Sequence, residues 1–301
     1  MRRLLTVVSI TAMSASTLAA QQPAPANPEI YLLSLSATDG KISLGKPVNI
    51  TNRKGYDNQP AFSPNGRLVY YTSTREDAQS DIYAYNVDTK KTDRITKTSP
   101  ESEYSATVMP SHERISVVRV ERDSTQRLWS FALNGSDDRL VLPDIKPVGY
   151  HAWVDPFHVA LFVLGTPNSL VLVDTRTGKQ QTLAHDIGRS LLPLPSGRGF
   201  TYLAHHDKDW ELTEVHLVAG SDSVRYTRPI ATLPQGMEYV AWVGPTLVGG
   251  TGTKLYSFNP GGKWTELADL AADGLTHITR IAVSPTGKML ALVAEPASEK
   301  P

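Results

Sequence analysis

The chain has 301 residues, 40% of them hydrophobic, with 30 lysines and arginines set against 30 aspartates and glutamates. That length supports one large core or two modest ones, and the balanced charge excludes a partner held by a global field, nucleic acid above all. The chain has no cysteine, which excludes a disulfide framework, a thiolate metal site, a cysteine nucleophile and lipidation at a signal-peptide cysteine.

In chain order, Arg2 and Arg3 lead into the apolar run LLTVVSITAMSASTLAA, and Thr17 and Ala19 fill the small-x-small places of a cleavage site. The strongly apolar part stops near Met13, short of the roughly 20 residues a membrane span needs. Residues 1–19 therefore read as a cleaved export signal that leaves no span behind, for a periplasmic or secreted protein. Residues 20–28 are a proline-rich tether, residues 29–296 the folded part and residues 297–301 a tail.

The segment EIYLLSLSATDGKISLGKPVNIT, Glu29 to Thr51, reads as strands around an Asp-Gly turn. After it, PAFSPNGRLVYYTS runs from Pro60 to Ser73, and Asn65-Gly66 predicts a tight hairpin turn with positive φ angles. DIYAYNV and TDRIT complete four short strands of one meander sheet. The pattern recurs from Ala106, His151, Ser190, Val240 and Arg280. Its first-turn prolines are Pro64, Pro110, Pro156, Pro195, Pro245 and Pro285, with gaps of 46, 46, 39, 50 and 40 residues, the period of four-stranded propeller blades. The sixth copy lacks its outer half, and the segment from Glu29 supplies a spare one. The expected fold is all-β: a six-bladed β-propeller of four-stranded antiparallel blades, the last closed by strands from both termini, which leaves no exposed sheet edge at the junction.

The run QPAFSPNGRLVYYTSTREDAQSDIYAYNVDTKKTDRIT resembles the WD40-like repeat of the TolB-type β-propellers, with Asn65 in place of the usual aspartate of P-x-F-S-P-D-G. A degenerate copy, AVSPTGK, stands at Ala282 to Lys288. The resemblance implies the same propeller over about residues 30–295. The repeat also precedes α/β-hydrolase domains in prolyl-oligopeptidase-like families, but only seven residues follow Ala294, so a hydrolase domain is not expected. About ten residues stand between the export signal and the first strand, so the extra N-terminal domain of TolB is not expected either.

Catalytic strings such as G-x-S-x-G, H-E-x-x-H or a P-loop are missing, and Ser43-x-x-Lys46 falls in an outer hairpin. The HHDKD run, His205 to Asp209, concentrates metal-ligand types in one loop, where adjacent residues seldom converge on one ion. Most of the five tryptophans are expected in the core between blades, with Trp210 partly exposed, where an aromatic suits a protein or glycan contact. The site expected from the fold is the channel mouth, which the start of each inner strand should reach. Those positions hold Asp57, Asn58, Gln59, Glu103, Tyr104, Tyr150, His151, Arg189, Glu238, Tyr239, Thr279 and Arg280. The ring is mixed in sign, and Arg189 with Glu238, or Arg280 with Asp57, are expected to pair between blades. It suits three uses: a non-catalytic scaffold binding an envelope or secreted protein; a sugar or peptide site; or, as in propeller lactonases and lyases, a funnel enzyme using calcium or a histidine, with His151, Glu103, Glu238 and Asp57 as the candidate groups. No cofactor is expected beyond such a calcium ion.

Overall fold

In the computed structural model, residues 27–38, 40–75, 78–219 and 221–297 are described; the segment read as an export signal, and most of the residues read as tether and tail, lie outside them. Six antiparallel sheets follow one another around an axis. Blade 1 comprises strands Tyr56–Phe62, Leu68–Thr74, Ser80–Asn86 and Thr92–Arg94, paired in chain order from the axis outward. Blades 2 to 5 repeat this order over residues 102–140, 148–185, 187–232 and 240–269.

Blade 6 takes its two inner strands, Leu275–Val283 and Met289–Pro296, from the end of the chain and its outer strands, Glu29–Thr38 and Lys41–Leu44, from the start. The seam is a six-residue antiparallel register running from Glu29 opposite Ala294 to Ser34 opposite Met289. A fifth, two-residue strand, Val48–Asn49, adds to the outer edge of Glu29–Thr38. Strand exchange at the seam therefore converts the two chain ends into one sheet, as the spare outer half predicts.

The marker prolines explain the hairpins. Proline fixes φ at the first corner of a type I turn, and the residue two places later must turn left-handed to re-enter the next strand. That residue is Gly66, His112, Gly197 or Gly287, with φ of 72°, 62°, 68° and 67°. In the first turn Gly66 takes the positive φ alone. Asn65 serves differently, accepting hydrogen bonds at Oδ1 from Ser63 Oγ at 2.8 Å and from Arg67 N–H at 3.0 Å.

The core is six separate apolar clusters, one at each blade–blade interface. Second strands read as nearly unbroken apolar runs, such as Leu68–Thr74 and His158–Val163, because both faces of each are covered by neighbouring blades. The interface between blades 6 and 1 joins Ile30, Leu32 and Val293 to Phe62, Val69 and Tyr71. Every tryptophan packs against one of these clusters, Trp153 fully and the other four partly buried. No helix among the described residues is long and apolar enough to cross a membrane.

Candidate functional site: the axial channel

The inner strands are not regular. Five of the six carry a register shift: between Asn58 and Ala61, Tyr104 and Thr107, Val148 and Tyr150, Ile187 and Leu191, and Thr276 and Arg280. Gln59, Ser105, Asp186 and His277 adopt positive φ at or beside these irregularities. A bulge bends the strand and breaks its alternation, so a residue's distance from the marker proline no longer fixes its direction.

Three cavities succeed one another along the axis, each sharing lining residues with the next. The first is an open mouth of about 670 Å³ where the inner strands begin, lined by Tyr56, Gln59, Tyr104, Tyr150, Arg189, Trp210 and Glu238 among others. The second is a waist of about 150 Å³ between Gln59, Ser105, Tyr150, His151, Arg189, Tyr239 and Arg280. The third, about 480 Å³, opens on the opposite face among Phe62, Met109, Trp153 and the turn prolines Pro64, Pro110 and Pro285. The channel is polar and aromatic at one end and mainly apolar at the other.

Of the residues expected at the mouth, Gln59, Tyr104, Tyr150, Arg189 and Glu238 line it, and His151, Tyr239 and Arg280 lie deeper, at the waist. Asn58 accepts the Gln59 N–H at 2.7 Å and lines none of the three cavities. Asp57 and Glu103 are withdrawn altogether. Both are fully buried, Asp57 paired with Arg53 at 3.0 Å and Glu103 with Arg119 at 3.0 Å. The expected pairing of Arg280 with Asp57 is therefore replaced: Arg280 donates to the Tyr150 hydroxyl at 3.2 Å and stacks its guanidinium 4.1 Å over the Tyr239 ring. Arg189 and Glu238 sense each other's charge without forming an ion pair.

This sorting changes the electrostatics. The mouth and waist keep two guanidiniums and one carboxylate, Glu238, in place of a ring balanced in sign. Calcium needs six to eight oxygen ligands, several of them anionic. Asp57 and Glu103 serve their own arginines, so the candidate carboxylates do not converge and do not fit that ion. The HHDKD histidines diverge too, His205 bonding Asp186 at 2.8 Å while His206 approaches Glu211 at 3.7 Å.

Tyr56 and Trp210 complete the mouth; Tyr56 was not legible as a site residue, whereas Trp210 was expected to suit a contact but was not placed in the channel. Tyr56 lies one residue before the positions read as channel-facing, and Trp210 comes from the third strand of blade 4. The proline at position 60, inside an inner strand, is the one local sign of a bulge there.

At the waist, burial pushes the Tyr239 phenol well above its ordinary value, so its proton is held. His151 is enclosed, and burial lowers its pKa from 6.5 to about 4. Its Nε2 lies 2.7 Å from Ser116 Oγ, which also accepts the Trp153 indole N–H at 2.9 Å. The longer contact of that hydroxyl to the Thr107 carbonyl, 3.3 Å, leaves Nε2 as the better acceptor for its proton and assigns the ring proton to Nδ1.

A stability effect follows. Between pH 6.5 and about 4 the unfolded imidazole binds a proton that the folded one refuses. Stability is therefore lost as pH falls through that window, by about 3 kcal/mol once pH is below the folded value. Arg189 and Arg280, which line the same waist, add like charge to the cost of an imidazolium, while the Tyr239 phenol there keeps its proton. Urea denaturation at steps from pH 7 to pH 4 should give a His151→Gln variant a shallower decline than the parent. Parallel curves would contradict the assignment.

No family model matches the chain, and no curated protein matches it in sequence. Solved structures do match. A TolB candidate from Agrobacterium tumefaciens superposes with a TM-score of 0.68 at 14% identity, over 90% of this chain and 99% of that one. A gluconolactonase from Xanthomonas campestris gives 0.62 at 10% identity, over 92% and 99%. TolB from Acinetobacter baumannii gives 0.57 at 12% identity over 90% of this chain, which spans 64% of that protein's length. At such identities the likeness is one of architecture: this chain has the six-bladed propeller fold of the TolB proteins.

Proposed function

We propose that the protein is an exported, TolB-like propeller acting without catalysis in the cell envelope, a rigid disc whose axial mouth receives a ligand or a segment of a partner protein. The observation that carries this reading is the mouth itself. It is open, about 670 Å³, and surrounded by tyrosines 56, 104 and 150, Trp210 and the Arg189 guanidinium. Aromatic side chains with a polar edge offer large contact area at low entropy cost, the composition of binding hot spots. The export signal read in residues 1–19 supports the envelope location. The neighbours' fold supports a scaffold, and the lactonase activity named for the Xanthomonas protein is a property of that protein.

Photo-crosslinking in cells tests the proposal. A benzophenone side chain at Trp210 or Tyr104 should yield a discrete adduct, of protein or small-ligand mass. The same probe at Val48, 59% exposed and remote from the axis, should not. Sequencing the recovered protein should find it starting at residue 20. Identical adduct patterns from all three positions, or none from the mouth, would overturn the binding reading.

A further inference from the structure

We propose that the channel waist is a receptor for one small carboxylate group, reached through the open mouth. The inference rests on the reading of that mouth as a binding site and names the chemistry the site takes.

Three buried polar atoms of waist-lining residues have no hydrogen-bond partner: His151 Nδ1, Ser105 Oγ and Tyr239 Oη. A buried polar group left unpaired costs about 1–3 kcal/mol, so three around one 150 Å³ space mark a place where something with acceptor atoms belongs. All three are donors there. The Ser116 contact puts the His151 proton on Nδ1. The Tyr239 hydroxyl lies beside the Arg189 guanidinium, which can only donate to it, so the phenol's own proton has no acceptor. The Ser105 hydroxyl is free to donate, since the bulge engages only its backbone, whose N–H donates to Gln59 Oε1 at 2.7 Å.

Charge selects the ligand among acceptors. No aspartate or glutamate lines the waist, whereas Arg189 and Arg280 both do. Counting Glu238 at the mouth leaves one excess positive charge, which a monoanion neutralises and a dianion would overturn. Arg280 is already oriented, held between the Tyr150 hydroxyl and the Tyr239 ring, so little freedom is lost on binding. A planar anion with two oxygens matches guanidinium donors with neutral N–H and O–H groups around them. The waist is narrow and the mouth broad, so the carboxylate leads and the rest of the molecule occupies the mouth.

Titration of the purified protein tests this with four probes: N-acetylalanine, N-acetylalaninamide, glucuronate and glucose. Both carboxylates should bind and both neutral partners should not. The tighter of the two acids tells whether the natural carboxylate sits on an amino acid or on a sugar. Arg280→Gln should weaken binding at least about tenfold, with an unchanged far-ultraviolet spectrum. Arg189→Gln, at an exposed side chain, serves as the second variant should Arg280→Gln fold poorly. Acids that bind no better than their neutral counterparts, or binding that survives in the folded variants, would overturn the proposal. Mouth-specific crosslinks without carboxylate binding would sink this inference and leave the scaffold reading standing.

Discussion

A chain ended after Glu266 should fail to fold, giving insoluble protein or a soluble chain with no cooperative melting transition. The cut removes the inner hairpin of blade 6 and strands Glu29–Thr38, whose only inner neighbour is Met289–Pro296. Leu275, Ile278, Ile281, Leu290, Leu292 and Val293 go with it, all at 8% exposure or less. At about 1.5–3 kcal/mol for each buried aliphatic side chain, roughly 10–20 kcal/mol of burial disappears, as much as the whole stability of an ordinary domain. The loss also falls on two interfaces at once, because blade 6 packs on both blade 5 and blade 1. A chain ended after Ala297 is the control. It keeps every strand of the ring and should still melt cooperatively. A soluble, cooperatively melting fragment ending at Glu266 would show that the ring does not depend on its seam.

The seam was legible because it is written in periodicity. Prolines at a near-constant interval and strands in a constant order survive any local irregularity, so blade count and closure follow from the chain alone. The site was legible only in part. Counting back from Pro64, Pro110 or Pro285 assumes an unbroken alternation, and bulges at Gln59, Ser105 and His277 break it. Asp57 and Glu103 accordingly left the channel for the blade interiors, taking with them the charge balance on which a cation site depended. Their partners, Arg53 and Arg119, sit in a preceding connection and a neighbouring strand, and no spacing in the sequence announces either pair. The orphaned donors at the waist were equally hidden. A hydroxyl or a ring nitrogen becomes informative only when its surroundings fail to satisfy it, which is a property of the packed molecule.

Arg119→Met should destabilise the protein by about 3–5 kcal/mol, and most of that loss should return in the Arg119→Met, Glu103→Gln double variant. Glu103 is wholly buried, and burial already raises its pKa against the Thr98 hydroxyl and the Arg119 guanidinium, which lower it. Arg119 holds it at 3.0 Å through Nε, reaches Asp138 at 3.0 Å through Nη1, and lies 4.3 Å over the Trp129 ring. Methionine preserves much of the packing against that ring but strands the carboxylate. A glutamine at 103 has no charge to strand and can still accept the Thr98 hydroxyl bond. Glu103→Gln alone should cost less than Arg119→Met, because Arg119 keeps Asp138 and its ring. The two single changes should therefore be strongly non-additive. Acid offers an independent reading. With Arg119 gone, the folded-state pKa of Glu103 stands further above its unfolded value, so lowering the pH through that folded value neutralises the stranded group and restores stability. His151 remains in both proteins and lowers the stability of each as pH falls, so the reading is the difference between them. A shallower acid decline for Arg119→Met than for the parent in urea titrations would establish the pair's role. Additive losses with parallel slopes would refute it. Carboxylate binding at the waist should not change in any of these variants, since neither residue lines the channel.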